Sequence, residues 1–412
     1  MILAELIDEY VSGDWGNEEL SDDTPNAVFC IRAADFVPIL SVDYTNIPMR
    51  YISDSSFENK LLQVGDIVIE KSGGSPTQST GRVIIITEEL LKEKQYIVCS
   101  NFCEAFRVKE GWNPFYVFSY LQFLYNEGVF FNFEGKTSGL KNLQMEQAFS
   151  SIDIPEQKCD ISILASIEEK IAMNRKINIE LEALAKEIYD YWFVQFDFPN
   201  EEGKPYKSSG GKMMWNETLK REIPEGWSEI NLFDGLDILY GYPFATEYFT
   251  DDSQYKPIVR IRDILEGKNS TFSSEEVDEK YRLQEEDAVI GMDGNFHINI
   301  WHRNDTYLNQ RCVRLREKDS GCITILQAYF AIKPYLKAKE KVTKGSTVGH
   351  LSDKDLKEFF LVNPLYTSLF TPHPLIEITK NIVEKRKEVN ELQSLRSYLL
   401  PLLMNGQITI KD

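Results

Sequence analysis

The chain has 412 residues, 42% of them apolar and 27% charged, with 45 basic against 65 acidic side chains and a net charge of −20. At roughly 150 residues per domain this length predicts two or three cores, and the composition excludes a mainly disordered chain, a collagen and a membrane bundle. The acidity argues against nucleic acid as a partner of the chain taken whole, but it is uneven: residues 1–155 hold 23 acidic and 11 basic side chains, residues 366–412 hold 5 and 6. No apolar run approaches the ~18 residues of a spanning helix. The start, Met1 to Glu9, has no basic region, so no signal peptide is expected. Six unclustered cysteines suit a reducing compartment, and the cytoplasm is the expected location.

The first body, residues 1–155, reads as mixed α and β. The β-rich runs Gly81-Arg-Val-Ile-Ile-Ile86 and Tyr96-Ile-Val-Cys-Ser100 precede a helical stretch over Phe115–Tyr125. Residues 156–198 hold a long helix. Its residues Leu164, Ile167, Ile171, Asn174, Asn178, Leu181, Ala185, Ile188 and Trp192 step by three and four, a heptad seam with a polar middle. From Leu164 to Trp192 such a helix runs about 43 Å. Residues 199–225, rich in Gly, Pro, Ser and Lys, have the composition of a linker. A second mixed body spans 226–365, with a helical stretch at Ile325–Lys339. Residues 366–412 close the chain with another long helix, its seam running through Leu375, Ile378, Ile382, Lys385, Val389, Leu392, Arg396, Leu399 and Leu403.

These parts repeat. Arg32-Ala-Ala-Asp35-Phe36 matches Arg260-Ile-Arg-Asp263-Ile264, and Gly13 matches Gly241, at a shift of 228. Asn101 with Phe106-Arg107-Val108 matches Asn309 with Arg314-Leu315-Arg316 at a shift of 208, as does Lys136 with Lys344. The two helix seams match throughout at 211, and Arg175-Lys176 reappears as Arg386-Lys387. The chain therefore reads as a tandem repeat of body and helix. The helices either pack on separate cores or pair with each other, Asn174, Asn178, Lys385 and Arg396 then fixing register at some cost in stability.

Signatures of chemistry are missing. No Gly-x-Gly pair and no Gly-x-x-x-x-Gly-Lys loop occurs, so neither a dinucleotide or S-adenosylmethionine turn nor an ATP cradle is expected. The four histidines and six cysteines lack zinc spacing, and no metal site is expected. Cys99 and Cys103 read as packed thiols. Asn113-Pro-Phe-Tyr116 and Asn363-Pro-Leu-Tyr366 approach the loop that holds a flipped adenine in amino-methyltransferases, but each lacks the second proline and reads as a turn. Glu156-Gln-Lys158 after Asp153 reads as a charge string rather than a set of nuclease carboxylates.

Six segments stand out: Ile154-Pro-Glu-Gln157 leading into the central helix, Leu184 to Phe198 with Gly203-Lys-Pro-Tyr206, Ile223-Pro-Glu-Gly-Trp227, Tyr240-Gly-Tyr-Pro-Phe244, Val289-Ile-Gly-Met-Asp-Gly294 and Leu308-Asn-Gln-Arg311. With these segments, the layout resembles the specificity subunit of type I restriction–modification systems. The resemblance implies an α+β fold: two mixed α/β target recognition domains joined by two long antiparallel coiled-coil helices. It implies a non-catalytic subunit that reads a bipartite site in double-stranded DNA and docks two methyltransferase subunits and the restriction subunits, with no membrane. S-adenosylmethionine, ATP and Mg are then expected on those partners and no cofactor in this chain.

Candidate DNA contacts are the polar, glycine-rich stretches of each body. In the first these are Lys71, Gln78, Ser79, Thr80 and Arg82, with Lys136. In the second they are Asn295, His297, Trp301, His302, Arg303, Asn309, Gln310 and Arg311, with Lys344. Asn and Gln can pair with adenine and Arg with guanine, while the lysines suit phosphate. Each could equally be a solvated loop residue, and Asn309 a strand cap. Candidate docking residues are Arg175, Lys176, Tyr189, Trp192, Arg386 and Lys387. Two other readings are an acidic DNA mimic that inhibits a nucleic-acid enzyme and a stand-alone adenine methyltransferase with degenerate motifs.

Overall fold

Runs of Val and Ile bounded by turn residues become the central strands. The computed structural model describes residues 1–73, 78–136, 141–155, 161–318, 323–343, 349–364 and 373–408. One unit comprises Met1–Lys176 and Asn390–Asp412. Its strands are β1 (Ile7–Ser12), β2 (Asn26–Ile31), β3 (Met49–Ile52), β4 (Ile67–Glu70), β5 (Ser72–Gly73), β6 (Val83–Ile85), β7 (Ile97–Cys99), β8 (Cys103–Val108), β9 (Glu134–Lys136) and β10 (Lys141–Leu143). An antiparallel sheet has the order β1-β8-β4-β6, a second the order β3-β2-β7 with β2 parallel to β7, and a third the order β5-β10-β9. Alternation along β4 shows how the first sheet is covered. Ile67 and Ile69 face a core with Phe106, Tyr116, Leu121 and Phe149, while Val68 faces a core with Ile31, Phe36 and Leu90. Helix α1 (Pro114–Asn126) starts where the Asn113 side chain accepts from the Phe115 N–H at 2.9 Å, with Pro114 in the first turn. The first Asn-Pro motif is thus a helix cap.

The other unit comprises Ile177–Val389. Its strands are β11 (Met213–Asn216), β12 (Arg221–Pro224), β13 (Ser228–Asn231), β14 (Leu236–Tyr240), β15 (Phe249–Thr250), β16 (Lys256–Val259), β17 (Thr271–Ser273), β18 (Ala288–Gly291), β19 (Ile298–Ile300), β20 (Tyr307–Leu308), β21 (Cys312–Glu317) and β22 (Phe360–Asn363). The sheet β14-β21-β18-β19 repeats β1-β8-β4-β6, and β15-β17-β16-β20, with β16 parallel to β20, extends the pattern of β3-β2-β7. Here Ala288 and Ile290 face one core and Val289 the other.

The repeat is physical. Asp35 and Asp263, both buried, each accept from the backbone N–H of the arginine three residues earlier, at 2.8 and 2.9 Å, and cap the same short turn. A Cβ on Gly13 would lie 2.1 Å from the Ser100 carbonyl oxygen, and one on Gly241 2.0 Å from that of Asn309, so each position admits only glycine. One match needs correction. Ile67 pairs with Phe106 and Ala288 with Leu315, so the β8 segment aligns with β21 at a shift of 209, not 208. Arg107 then matches Arg316. The buried Asp66 receives Arg107 Nε at 3.0 Å, and the buried Asp287 receives Arg316 Nε at 2.6 Å.

Helices α2 (Ser162–Tyr189) and α4 (Pro374–Met404) each give one half to either unit, because the unit boundary falls inside both. In the first unit Leu164 packs with Leu400 and Leu403, and in the second Ala185 packs with Ile378 and Ile382, an antiparallel course. Between them in sequence lies α3 (Ile325–Thr343). The stretch 199–225, expected as a linker, instead forms the β11-β12 hairpin, and Phe198 stacks at 4.7 Å on both Tyr206 and Trp227. Its glycines and prolines serve turns within the second unit.

Candidate nucleic-acid interface

The polar stretch of the first unit is largely committed to its own fold. Ser79 and Thr80 are buried; the Thr80 N–H donates to Glu134 Oε1 at 2.8 Å and the Ser79 carbonyl accepts from the Tyr125 hydroxyl at 3.3 Å. Arg82 forks onto buried Glu70 at 2.8 and 2.9 Å, and that bond holds its guanidinium further above its ordinary pKa. Lys71 pairs with Glu104 at 3.0 Å. Gln78 is exposed and its carbonyl accepts from Lys141 at 3.3 Å. Lys136 ends β9 opposite Lys141. Of this group the two hydroxyl residues cannot reach a groove from the core, and Arg82 could do so only by breaking a bidentate ion pair.

In the second unit Trp301 and His302 are buried and belong to the core. Burial, then the neighbouring Arg386 and Arg303, pushes the His302 imidazole down to about 4, so at neutral pH it carries no charge for phosphate. Asn309 is buried, and its Oδ1 accepts from the Arg311 N–H at 3.3 Å; it shapes a turn. Asn295 and Gln310 are exposed and His297 half-buried. Arg303 forks onto Asp305 at 2.6 and 2.9 Å. Arg311, 58% exposed, meets Asp293 at 2.8 Å. Lys344 lies outside the described residues, as do Glu156 to Lys158. The four described cysteines, 30, 99, 103 and 312, are buried free thiols whose pKa burial raises. Among the described residues no three His, Cys, Asp or Glu side chains are grouped to hold a metal.

The docking candidates are likewise engaged within their own units, although none is fully buried and Lys176 is exposed. Arg175 donates to the Leu40 carbonyl and Lys176 to Glu89 at 3.5 Å, both within the first unit. Arg386 donates to Asn299 Oδ1 at 2.9 Å, to the Ile300 carbonyl at 2.7 Å and to Glu182 at 2.7 Å, and Lys387 to Glu285 at 2.9 Å, all within the second. The repeated Arg-Lys pair fastens each helix to its own body. Tyr189 packs on Phe193 and Phe330, and Trp192 on His373. Sequence reasoning missed the apolar side chains that the helices leave in solvent. Ile179, Leu184, Tyr191 and Val194 are exposed in the second unit, and Met173, Leu395 and Tyr398 in the first. They lie off the heptad seam, and that offset was the available signal.

A family model described as the type I restriction modification DNA specificity domain matches residues 23–183 and 224–365. The type I restriction enzyme EcoBI specificity subunit of Escherichia coli is 29% identical over 197 residues, 46% of this chain and 41% of that protein. The MjaIX specificity subunit of Methanocaldococcus jannaschii is 25% identical over 290 residues, 66% and 63% of the two chains. The matches thus span 41% and 63% of the length of these curated relatives. The crystal structure of a type I restriction–modification S subunit from M. genitalium shares the fold, with a TM-score of 0.52 at 14% identity over 98% of this chain and 95% of that one.

Proposed function

Starting from the fact that this chain belongs to the type I restriction–modification DNA specificity family, both of whose matched segments fall on the two copies of the fold, we propose that it reads a bipartite DNA target, one half-site per unit. The observation that carries this is the duplication itself. Two bodies with the same sheet orders, β1-β8-β4-β6 and β14-β21-β18-β19, differ in the side chains they expose. Neither the inhibitor nor the stand-alone methyltransferase reading accounts for such a pair.

Chemistry belongs to partners: methyltransferase subunits that bind S-adenosylmethionine, and restriction subunits that use ATP and Mg. The exposed apolar residues of α2 and α4 are the better docking candidates, since solvent-facing Met173, Ile179, Leu184 and Tyr398 bury apolar area on association. The helix pair sets the spacer between half-sites. Among the described residues no helix is long and apolar enough to cross a membrane, and the complex works in the cytoplasm. The net charge of −20 assigns most phosphate attraction to the partners. Arg311, Gln310, Asn295, Arg303 and Gln78 remain as contacts from this chain.

The test is exchange of residues 226–365 for the corresponding body of another family member, followed by mapping of methylated adenines. One half-sequence should change and the other persist, because each body has its own cores. A change in both halves together would refute the two-reader assignment.

A further inference from the structure

The two units carry one main-chain frame with different side chains on it. In the first, the Lys71 N–H donates to the Phe102 carbonyl at 2.8 Å, and the Lys71 carbonyl accepts from the Leu143 N–H at 2.7 Å. In the second, the Met292 N–H donates to the Arg311 carbonyl at 2.9 Å, and the Met292 carbonyl accepts from the Leu351 N–H at 2.7 Å. The sheet registers independently equate β4 with β18 and β8 with β21. Lys71 therefore matches Met292, Phe102 matches Arg311 and Leu143 matches Leu351. One residue beyond, Ser72 lies opposite Asn142 and Asp293 opposite His350. Each frame presents three side-chain positions: Ser72, Phe102 and Asn142 in one unit, Asp293, Arg311 and His350 in the other.

Here the units part company. Ser72 Oγ donates to Asn142 Oδ1 at 2.5 Å, and the Phe102 ring beside them is 56% exposed. In the second unit the Asp293 carboxylate holds His350 Nδ1 at 2.6 Å with one oxygen and the Arg311 guanidinium at 2.8 Å with the other. Arg311 and His350 are nevertheless 58% and 54% exposed. An apolar ring exposed to this degree gains nothing for the fold, and a carboxylate that fixes two half-exposed side chains, one a guanidinium and one an imidazole, restricts their direction. The backbone bonds fix position while the side chains set chemistry. An aromatic ring with an amide suits the thymine methyl and adenine edge; a held guanidinium suits the O6/N7 edge of guanine.

Resting on the DNA-reading function above, we infer that these three positions are the base-discriminating set of each unit, the first directed at an A·T pair and the second at guanine. Asp293 acts as a positioning residue for Arg311 and His350.

The experiment uses the full chain with its methyltransferase subunits on a library of bipartite sites. R311A should relax preference at one base of one half-site by about tenfold or more, leaving the other half-site and the salt dependence unchanged. D293N should relax the same base, and F102A a base in the other half-site only. The exchange S72D/F102R/N142H should move the first unit's preference toward guanine. Arg311 and Phe102 are over half exposed, so unchanged melting temperatures should accompany these effects. Variants that retain wild-type preference at every base overturn the inference. So does uniform weakening on all sequences with a shallower salt slope, the mark of a phosphate contact. A wild-type complex that selects no bipartite site overturns the DNA-reading function itself.

Discussion

Two imidazoles in the second unit are held neutral by burial. His302 and His373 are 4% and 2% exposed, and desolvation, the leading cause in both, brings each down to about 4. The folded state thus binds fewer protons than the unfolded state, whose histidines titrate near 6.5. Their contribution is complete above pH ~6.5 and is lost as pH falls toward 4, up to about 3 kcal/mol each. Burial raises the Glu317 carboxyl, which acts in the opposite sense, so the comparison that decides is between variants. Thermal unfolding of the wild type should show a falling stability from pH 7 to 4.5, and H302Q and H373Q should each flatten that slope. Both buried imidazoles lie within residues 177–389, so hydrogen exchange should show this unit opening first through loss of their contribution. Equal slopes in wild type and variants would contradict it. At this scale the sequence was least legible: Trp301 and His302 follow a glycine turn and amides, as reading residues would. Their burial in the core behind β18 depends on contacts distant in sequence.

Elements were easier to read than their duties. The long helices, the Phe115–Tyr125 helix and the strands at residues 83–85 and 97–99 follow from periodicity and β-branched runs. The 199–225 hairpin did not, because its strands are short and its composition is dominated by turn residues. The repeated Arg-Lys pair was legible as a repeat but not as a clamp, since its partners, Leu40 and Glu89 in one unit and Asn299, Ile300 and Glu285 in the other, lie about 90 to 140 residues away in sequence. The structure predicts unequal costs within the pair. Arg386, with three partners and a side chain 20% exposed, should cost the second unit about 3 kcal/mol when replaced by alanine, the upper range for bonds to a charged group. Lys387, 42% exposed and paired with Glu285, should cost under about 1 kcal/mol. Denaturant titration of R386A and K387A measures both. If R386A instead left stability intact and lost association with methyltransferase subunits, Arg386 would be a docking residue after all.

For the whole molecule, the duplication was visible in sequence because close packing permits few substitutes at Gly13, Gly241, Asp35 and Asp263. The one-residue error in the β8–β21 match arose where alternating strands tolerate a slip in a short motif comparison but not in a sheet. Both unit boundaries fall inside helices, between residues 176 and 177 and between 389 and 390. Each unit also keeps its own helix–helix ion pair: Glu168 with Arg396 in the first, and Glu182 with Arg386 at 2.7 Å in the second. This arrangement dictates how the spacer should be tested. Seven residues inserted in α2 alone would move the facing side chains of α4 out of register. Matched heptads inserted at both boundaries preserve the seam, both ion pairs and every contact inside each unit, and lengthen each helix by about 10 Å at a rise of 1.5 Å per residue. With base pairs ~3.4 Å apart, the methylated site should keep both half-sequences and gain about three base pairs of spacer. Mapping methylated adenines for the doubly lengthened chain reads this directly. An active complex with an unchanged spacer would show that the helix pair does not set the distance between the half-sites.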